Sequence, residues 1–130
     1  MTTPKQNVVC WFEIYVNDMD RAKKFYSKVL NLEIVDAPPM DGMGDMQMAF
    51  FPWVENTPNA SGALVKMEGV CAGMGGTMIY FQCEDCSVEE SRVEAAGGKI
   101  HQSKMSLGEH GFCSICIDSE GNMFGLHSLK

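Results

Sequence analysis

The residues best able to do chemistry alternate with apolar residues on short segments that lie far apart in the sequence. These residues are Glu13 and Tyr15 near the N-terminus, Tyr80 and Gln82 in the middle of the chain, and His127 near its end. Alternation with a period of two is typical of a β-strand that buries one face. An apolar surrounding could make Glu13 a general base, and His127 could act as the acid or orient a carbonyl group. We therefore take Glu13 and His127 as the catalytic candidates.

The same polar residues have a structural alternative, in which they satisfy one another's hydrogen bonds at the rim of a cavity. Two further histidines are present. His110 lies in the turn between Gly108 and Gly111, and we include it among the ligand-binding candidates because loops often carry function. His101 follows Ile100 in a predicted strand, where we expect a surface or edge position.

The chain contains 11 methionines among its 130 residues. Methionine is flexible and fills irregular gaps, so this content favours a pliable apolar pocket, with core packing as the alternative. The ligand-binding candidates besides His110 are expected on one face of a sheet, and they are Trp11, Tyr15, Met46, Met48, Met78, Tyr80, Gln82 and Met123.

Two pairs of cysteines have the C-x-x-C spacing of zinc sites, Cys83 with Cys86 and Cys113 with Cys116. The context argues against zinc, because Cys113 and Cys116 lie in one predicted strand and point to opposite faces. Neither pair has the glycine or proline that a tight metal-binding turn favours. We expect reduced thiols, several of them buried in the core.

A hairpin over residues 108–128 most clearly positions a candidate residue. Its strands are predicted at residues 111–117 and 122–128, joined by a turn rich in Asp, Ser and Gly. In the second strand, Phe124 and Leu126 point to the core. Met123, Gly125 and His127 point the other way, which suits the wall of a cavity.

The chain opens with a predicted strand at residues 8–16 and a helix at residues 19–30, with Asn17 or Asp18 as the helix cap. Apolar residues recur along the helix at i, i+3, i+4, i+7 and i+8, which predicts that one side packs on a sheet. These residues are Ala22, Phe25, Tyr26, Val29 and Leu30. Strands at residues 32–36, 46–51 and 62–67 follow, separated by loops at residues 37–45 and 52–61.

The order then starts again after a glycine-rich connector at residues 68–76, which we expect to be flexible. A strand is predicted at residues 77–83. A helix follows with a capping box that begins at Ser87, and it ends near residue 96 before Gly97 and Gly98. A strand at residues 99–103 leads into the closing hairpin.

The two halves of the chain can be aligned with a constant shift. Trp11 and Met78 are 67 positions apart, and so are Asp18 and Asp85. We therefore predict a single domain over residues 1–130, built from tandem βαβββ modules at residues 7–67 and 77–130. The predicted fold is α+β, with a curved, cup-shaped, eight-stranded mixed sheet and the helices on its convex side.

Composition limits the partners. The net charge is −7 and the isoelectric point is near 4.8, which argues against nucleic acid and anionic membranes. No apolar run is long enough to span a bilayer, so we expect no membrane partner. The first residues contain no apolar signal-peptide core, so we expect a cytoplasmic protein.

Three segments carry a resemblance to a known family: WFEIYVNDMDRAKKFYSKVLNLEI, AAGGKI and GFCSICIDSEGNMFGLHS. They resemble the vicinal oxygen chelate superfamily, which holds glyoxalase I, bleomycin-resistance proteins and extradiol dioxygenases. The short branch related to lactoylglutathione lyase is the most similar part of it. The resemblance implies the cup-shaped fold, a small-molecule ligand and a homodimer.

The resemblance also implies where a metal ion would be bound. In metal-using members, the first strands of the two copies supply His or Gln, and the last strands usually supply Glu. Here the first strands offer Trp11 and Met78, and the final strand offers Gly125. The predicted strand at residues 62–67 contains no Glu, His, Asp or Gln. We therefore predict no cofactor at the usual site, so that a divalent ion would require a displaced site.

Three functions follow from these observations. The leading hypothesis is a protein that binds a small apolar or aromatic molecule in the cup without the usual metal. The alternative is an enzyme: a metal-dependent lyase or dioxygenase, or a metal-free lyase or isomerase that uses Glu13 and His127. A third is a partner-binding module in which the cup has lost its ligand.

Overall fold

The computed structural model describes residues 3–39, 42 and 44–130, so part of the predicted loop at residues 37–45 lies outside the described residues. Within that part of the chain the fold is α+β, as predicted, with the order βαβββ occurring twice. The elements are β1 (Val9–Tyr15), α1 (Met19–Leu30), β2 (Val35–Asp36), β3 (Gln47–Phe50), β4 (Ser61–Lys66), β5 (Thr77–Gln82), α2 (Cys86–Val93), β6 (Lys99–Ser106), β7 (Phe112–Ile117) and β8 (Met123–Ser128).

The eight strands form one mixed sheet in the order β2-β3-β4-β1-β5-β8-β7-β6, which leaves β2 and β6 at its edges. Strands β5 and β8 run parallel, whereas β2–β3, β3–β4, β6–β7 and β7–β8 are antiparallel pairs. The chain divides into two compact units. We call Phe12–Thr77 the first-half unit, and Met1–Trp11 together with Met78–Lys130 the second-half unit.

In the first-half unit, α1 packs on the sheet face that carries alternate residues of β1. The buried cluster contains Val16, Met19 and Leu64, and Phe12 and Ile14 pack against it. The helix begins where predicted, because the Asp18 side chain accepts a hydrogen bond from the Arg21 backbone N–H at 3.0 Å. It ends at Asn31, which has the left-handed conformation that closes many helices.

The predicted buried stripe of α1 is only partly correct. Ala22 and Tyr26 pack against the core, but Phe25, Val29 and Leu30 are 59%, 62% and 50% exposed. The helix lies on β3 and β4, and its apolar stripe is wider than the strip of sheet that it covers. The strand predicted at residues 32–36 is also shorter, since only Val35–Asp36 pairs with β3.

In the second-half unit, α2 packs on β6, β7 and β8. The buried cluster between them contains Cys83, Cys86, Cys116 and Leu126. Several aromatic and aliphatic side chains surround it: Phe81, Val93, Ile100, Phe112 and Phe124. Ile100 and Phe124 therefore lie on the helix-covered face of the sheet.

Both ends of α2 differ from the prediction. The cap is Asp85, whose carboxylate accepts hydrogen bonds from the Ser87 N–H and hydroxyl, so the capping box at Ser87 is wrong. The helix ends at Val93, before the predicted end near residue 96. Gly98 then passes so close to β7 that a Cβ atom there would lie 2.4 Å from the Ile117 carbonyl oxygen. The predicted left-handed glycine cap is also present, because Gly97 has a φ of 102° and the Gly98 N–H donates to the Val93 carbonyl oxygen at 3.0 Å.

No helix in the described residues is both long enough and apolar enough to cross a membrane.

Two neighbouring aromatic residues of α1 test which side of the helix stabilises the fold. Tyr26 packs edge-on against Phe51 at a centroid distance of 5.8 Å, whereas Phe25 is mostly exposed. We expect Tyr26→Ala to lower the free energy of unfolding by roughly 2–4 kcal/mol and Phe25→Ala by about 1 kcal/mol or less. Urea unfolding of both variants measures this. Equal losses would show that the exposed side of α1 is buried in solution.

The ion pair that anchors α2 gives a pH-dependent prediction. The pKa of Asp85 is lowered to about 2, first by the hydrogen bond from the Lys104 ammonium at 2.9 Å and then by those from Ser87. The folded-state pKa lies below the ordinary value of 3.8, so the carboxylate stabilises the fold above that value, and the contribution is lost as the pH falls towards 2. In urea unfolding, Asp85→Ala should therefore be less stable than the wild type at pH 7, and this difference should shrink between about pH 4 and pH 2.

Lys104→Met is the matched variant, because it removes the other half of the same pair. The free energy of unfolding of Lys104→Met should also depend less on pH over this interval. A difference between Asp85→Ala and the wild type that stays constant from pH 4 to pH 2 would contradict the assignment.

Candidate functional site

The sheet face opposite α2 carries most of the predicted ligand-binding residues of the second-half unit. Strands β5 and β8 pair in parallel, with Tyr80 beside Gly125 and Gln82 beside His127. Paired residues share a face, so these four residues lie together and away from the helix-covered core. Alternation adds two methionines to the same face. We call Met78, Tyr80, Gln82, Met123, Gly125 and His127 the β5–β8 face.

The centre of this face is a contact between Tyr80 and Gly125. A Cβ atom on Gly125 would lie 2.2 Å from Cδ2 and 2.4 Å from Cε2 of the Tyr80 ring. The ring therefore lies directly on the glycine backbone, in the space that any other side chain would occupy. The predicted strand alternation puts both residues on this face but does not reveal that they touch.

His127 is held by the turn that precedes β7. Its Nε2 atom lies 2.7 Å from the main-chain carbonyl oxygen of His110. His110 belongs to a short 3-10 helix, Gly108–His110, and its side chain is exposed. The contact that the structure shows for His110 is made by its backbone to His127, and the predicted ligand contact of its side chain stays a prediction.

The other ligand-binding candidates of this unit differ in how exposed their side chains are. Met78 is only 6% exposed, whereas Met123 is 44% exposed. The Gln82 amide nitrogen donates a hydrogen bond to the Cys83 carbonyl oxygen at 3.2 Å. Trp11 is half-buried in β1, on the face opposite Phe12. His101 is exposed on the edge strand β6, as expected.

Glu13 and Tyr15 lie in the first-half unit and form a pair. The Tyr15 hydroxyl donates a hydrogen bond to Glu13 Oε1 at 2.8 Å. Burial raises the pKa of Tyr15, and the charge of Glu13 and the hydrogen bond raise it further, so the hydroxyl keeps its proton and acts as the donor. The contact agrees with the structural alternative, in which polar groups of the site satisfy one another.

Met46 and Met48, both predicted to bind a ligand, line a cavity of about 340 Å³. Lys23 and Asp36 also line this cavity, and their side chains form an ion pair at 2.7 Å. No local pattern could reveal the pair, because its members belong to a helix and to the edge strand β2.

Comparison with known proteins identifies the fold family. A sequence model of the Glyoxalase/Bleomycin resistance protein/Dioxygenase superfamily matches residues 9–126. The chain belongs to this superfamily. The match covers both units, and it confirms the family predicted from the sequence.

Several solved structures share the fold of the chain. They include a hypothetical protein from Bacillus halodurans (TM-score 0.69, 13% identity, 94% of each chain covered). Methylmalonyl-CoA epimerase from Mycobacterium tuberculosis has a TM-score of 0.68 at 14% identity, covering 99% of this chain and 93% of that one. A Streptomyces coelicolor methylmalonyl-CoA epimerase in complex with 2-nitronate-propionyl-CoA has a TM-score of 0.67 at 16% identity, covering 95% and 98%.

At these identities the likeness shows the fold alone. No curated protein matches the chain.

The residues predicted at the superfamily's metal positions offer no usual ligand to a divalent ion. Trp11, Met78 and Gly125 supply no oxygen or imidazole ligand, and the Tyr80 ring occupies the side-chain space at Gly125. Strand β4 places Ala63 and Val65 fully buried at its centre. Among the described residues, no three His, Cys, Asp or Glu side chains are grouped so that they could hold an ion. The absence of a cofactor at the usual site stays a prediction.

The cysteines are free thiols, as predicted. Cys83, Cys86, Cys113 and Cys116 are buried, and Cys71 is exposed. Burial raises the pKa of Cys83 to about 12, with a smaller contribution from the nearby charge of Glu89. Because the thiolate is the reactive form, this shift favours the unreactive thiol of Cys83.

The thiols give a direct test of the packing beneath α2. With a chromogenic disulfide reagent at pH 8, we expect one fast-reacting thiol per native chain, Cys71, and all six in urea. Cys71→Ser should remove the fast phase and leave the rest unchanged. Fast reaction of several thiols in Cys71→Ser would contradict the buried placement of Cys83, Cys86 and Cys116.

Proposed function

We propose that the chain binds a small apolar or aromatic molecule on the β5–β8 face, without a divalent ion at the superfamily's usual positions. The observation that supports this most is the Tyr80 ring lying on Gly125. At this position metal-using members usually carry a ligand to the ion, whereas this chain offers a flat aromatic surface. In this proposal the site holds a ligand by stacking against its carbon atoms, whereas a metal site holds a ligand by coordinating its oxygen atoms.

The rest of the face suits such a ligand. An aromatic ring packs favourably on the face or edge of another, which Tyr80 offers. Met78 and Met123 are flexible and can adapt to the shape of a bound molecule. Gln82 and His127 add polar groups at one end, and a few polar groups on an apolar wall are what orient ligands in most binding sites.

The solved relatives suggest a second class of ligand to test. One methylmalonyl-CoA epimerase structure is a complex with 2-nitronate-propionyl-CoA. The net charge of −7 of this chain disfavours a ligand with several phosphates, because like charges repel. We therefore favour an uncharged aromatic ligand over a CoA thioester.

A metal-free lyase or isomerase is the second candidate, because of Glu13. Tyr15 donates to its carboxylate, so Glu13 is the hydrogen-bond acceptor of the pair and could take a proton from a substrate. In this role Glu13 is the base. Glu13→Gln should then abolish turnover while leaving ligand affinity nearly unchanged.

A thermal-shift screen of small aromatic compounds, acyl-CoA thioesters and methylglyoxal with glutathione, with and without Ni²⁺ or Zn²⁺, tests the proposal. We expect aromatic compounds to stabilise the chain equally with EDTA and with metal.

Tyr80→Ala should weaken their binding about tenfold or more, whereas Tyr80→Phe keeps the ring and should not. Ile79→Ala is the control, since it changes the neighbouring residue on the opposite face.

Two results would overturn the proposal. Ligand binding that requires the metal and disappears with EDTA would favour the metal-dependent lyase or dioxygenase. Binding that is unchanged in Tyr80→Ala would place the ligand elsewhere.

A further inference from the structure

The contact between His127 and the His110 carbonyl decides which nitrogen of the imidazole carries a proton. A carbonyl oxygen has no hydrogen and can only accept a hydrogen bond. At 2.7 Å from that oxygen, Nε2 must be the donor. When the ring is neutral, Nδ1 is then the nitrogen with a lone pair, and it is the acceptor.

The position of that carbonyl is set by the backbone of the turn. Gly111 follows His110, is buried, and has a φ of 93° that favours glycine. A Cβ atom there would lie 2.4 Å from the Ser128 carbonyl oxygen, beside His127 in β8. The Leu107 N–H also donates to the Gly111 carbonyl oxygen at 2.7 Å. The acceptor for Nε2 is therefore a fixed part of the fold.

The neighbours of His127 within the sheet are known from the strand pairing. Gln82 lies beside it on β5, and Cys113 lies beside it on β7. The Gln82 amide nitrogen already donates to a main-chain carbonyl, and Cys113 is buried. His127 itself is half-buried, so the ring can reach a molecule on the β5–β8 face.

We infer that the turn before β7 holds His127 as the Nε2–H tautomer, and that Nδ1 selects ligands that carry a hydrogen-bond donor. The inference rests on the proposed function and narrows its ligand class to aromatic molecules with a hydroxyl or N–H group. A ligand that offers only acceptors, such as an ether, would find no donor on the ring and would leave Nδ1 unpaired and desolvated. His110 is a positioning residue in this account, and it acts through its backbone.

The first experiment uses the free protein and does not depend on any ligand. Long-range ¹H–¹⁵N NMR at about pH 8.5, where histidines are mostly neutral, reports the tautomer of each ring. The chain has three histidines, and His127→Gln identifies the signals of His127. We expect His127 to be fully Nε2-protonated, with the exposed His101 as the reference for a freely exchanging ring. An Nδ1–H tautomer, or the same average as His101, would overturn the inference.

The second experiment compares phenol with anisole, which have the same ring but differ in whether the oxygen carries a hydrogen. By calorimetry, phenol should bind the wild type about five- to tenfold more tightly, the worth of one hydrogen bond. His127→Phe should erase the difference. His127→Gln should restore it, because the Gln amide can donate to the His110 carbonyl and its oxygen can accept from phenol. His101→Gln is the control and should behave as the wild type.

The outcomes separate the two proposals. Equal binding of phenol and anisole to the wild type would overturn the selection by Nδ1 and leave the binding function standing. Failure of both to bind would overturn the proposed function and the selection with it. In that case the NMR result would still decide whether the turn fixes the tautomer.

Discussion

Burial of one sheet face beneath a helix is the constraint on which the rest of the structure depends. In the second-half unit, Leu126 and Cys116 are buried under α2, and a slip of one residue in register would turn them to the opposite side. The same constraint fixes which residues face away from the helix. Gly125 and His127 are placed on the β5–β8 face because their neighbours must lie in the core. The chemistry of that face is thus set by the packing of the other one.

The two halves of the chain meet this constraint in the same way. Val16 donates its backbone N–H to the Val65 carbonyl at 2.9 Å, and Cys83 donates to the His127 carbonyl at 2.7 Å. The position of His127 in the second half therefore corresponds to Val65 in the first. The halves share their backbone plan but differ in polarity, since only the second carries an imidazole here. The two halves repeat the same order of elements, and single side chains give them different polarity.

Features that depend on local periodicity were predictable, and those that depend on tertiary register were not. The faces of β8 follow from strict alternation of apolar and small or polar residues, so Phe124 and His127 were assigned correctly. The stripe of α1 was overestimated, because periodicity shows that Phe25 and Val29 share a side but not how much sheet lies below them. The Tyr80 contact with Gly125 depends on the parallel pairing of strands that are distant in sequence. The hydrogen bond from His127 to the His110 carbonyl depends on the geometry of the turn before β7.

In the proposed function an aromatic ring takes the place of an ion, which changes what a site in this fold can recognise. A divalent cation attracts oxygen atoms with negative charge and tolerates few alternatives. The Tyr80 ring on Gly125 presents an uncharged surface against which apolar groups can pack. The orientation of a ligand on this surface must therefore come from hydrogen bonds. Those hydrogen bonds discriminate only if their donors and acceptors are fixed, because a ring that can exchange its tautomer accepts either kind of partner. The His110 carbonyl removes that freedom from His127, so under the proposed function the same turn that closes the fold before β7 would also set the polarity of the site.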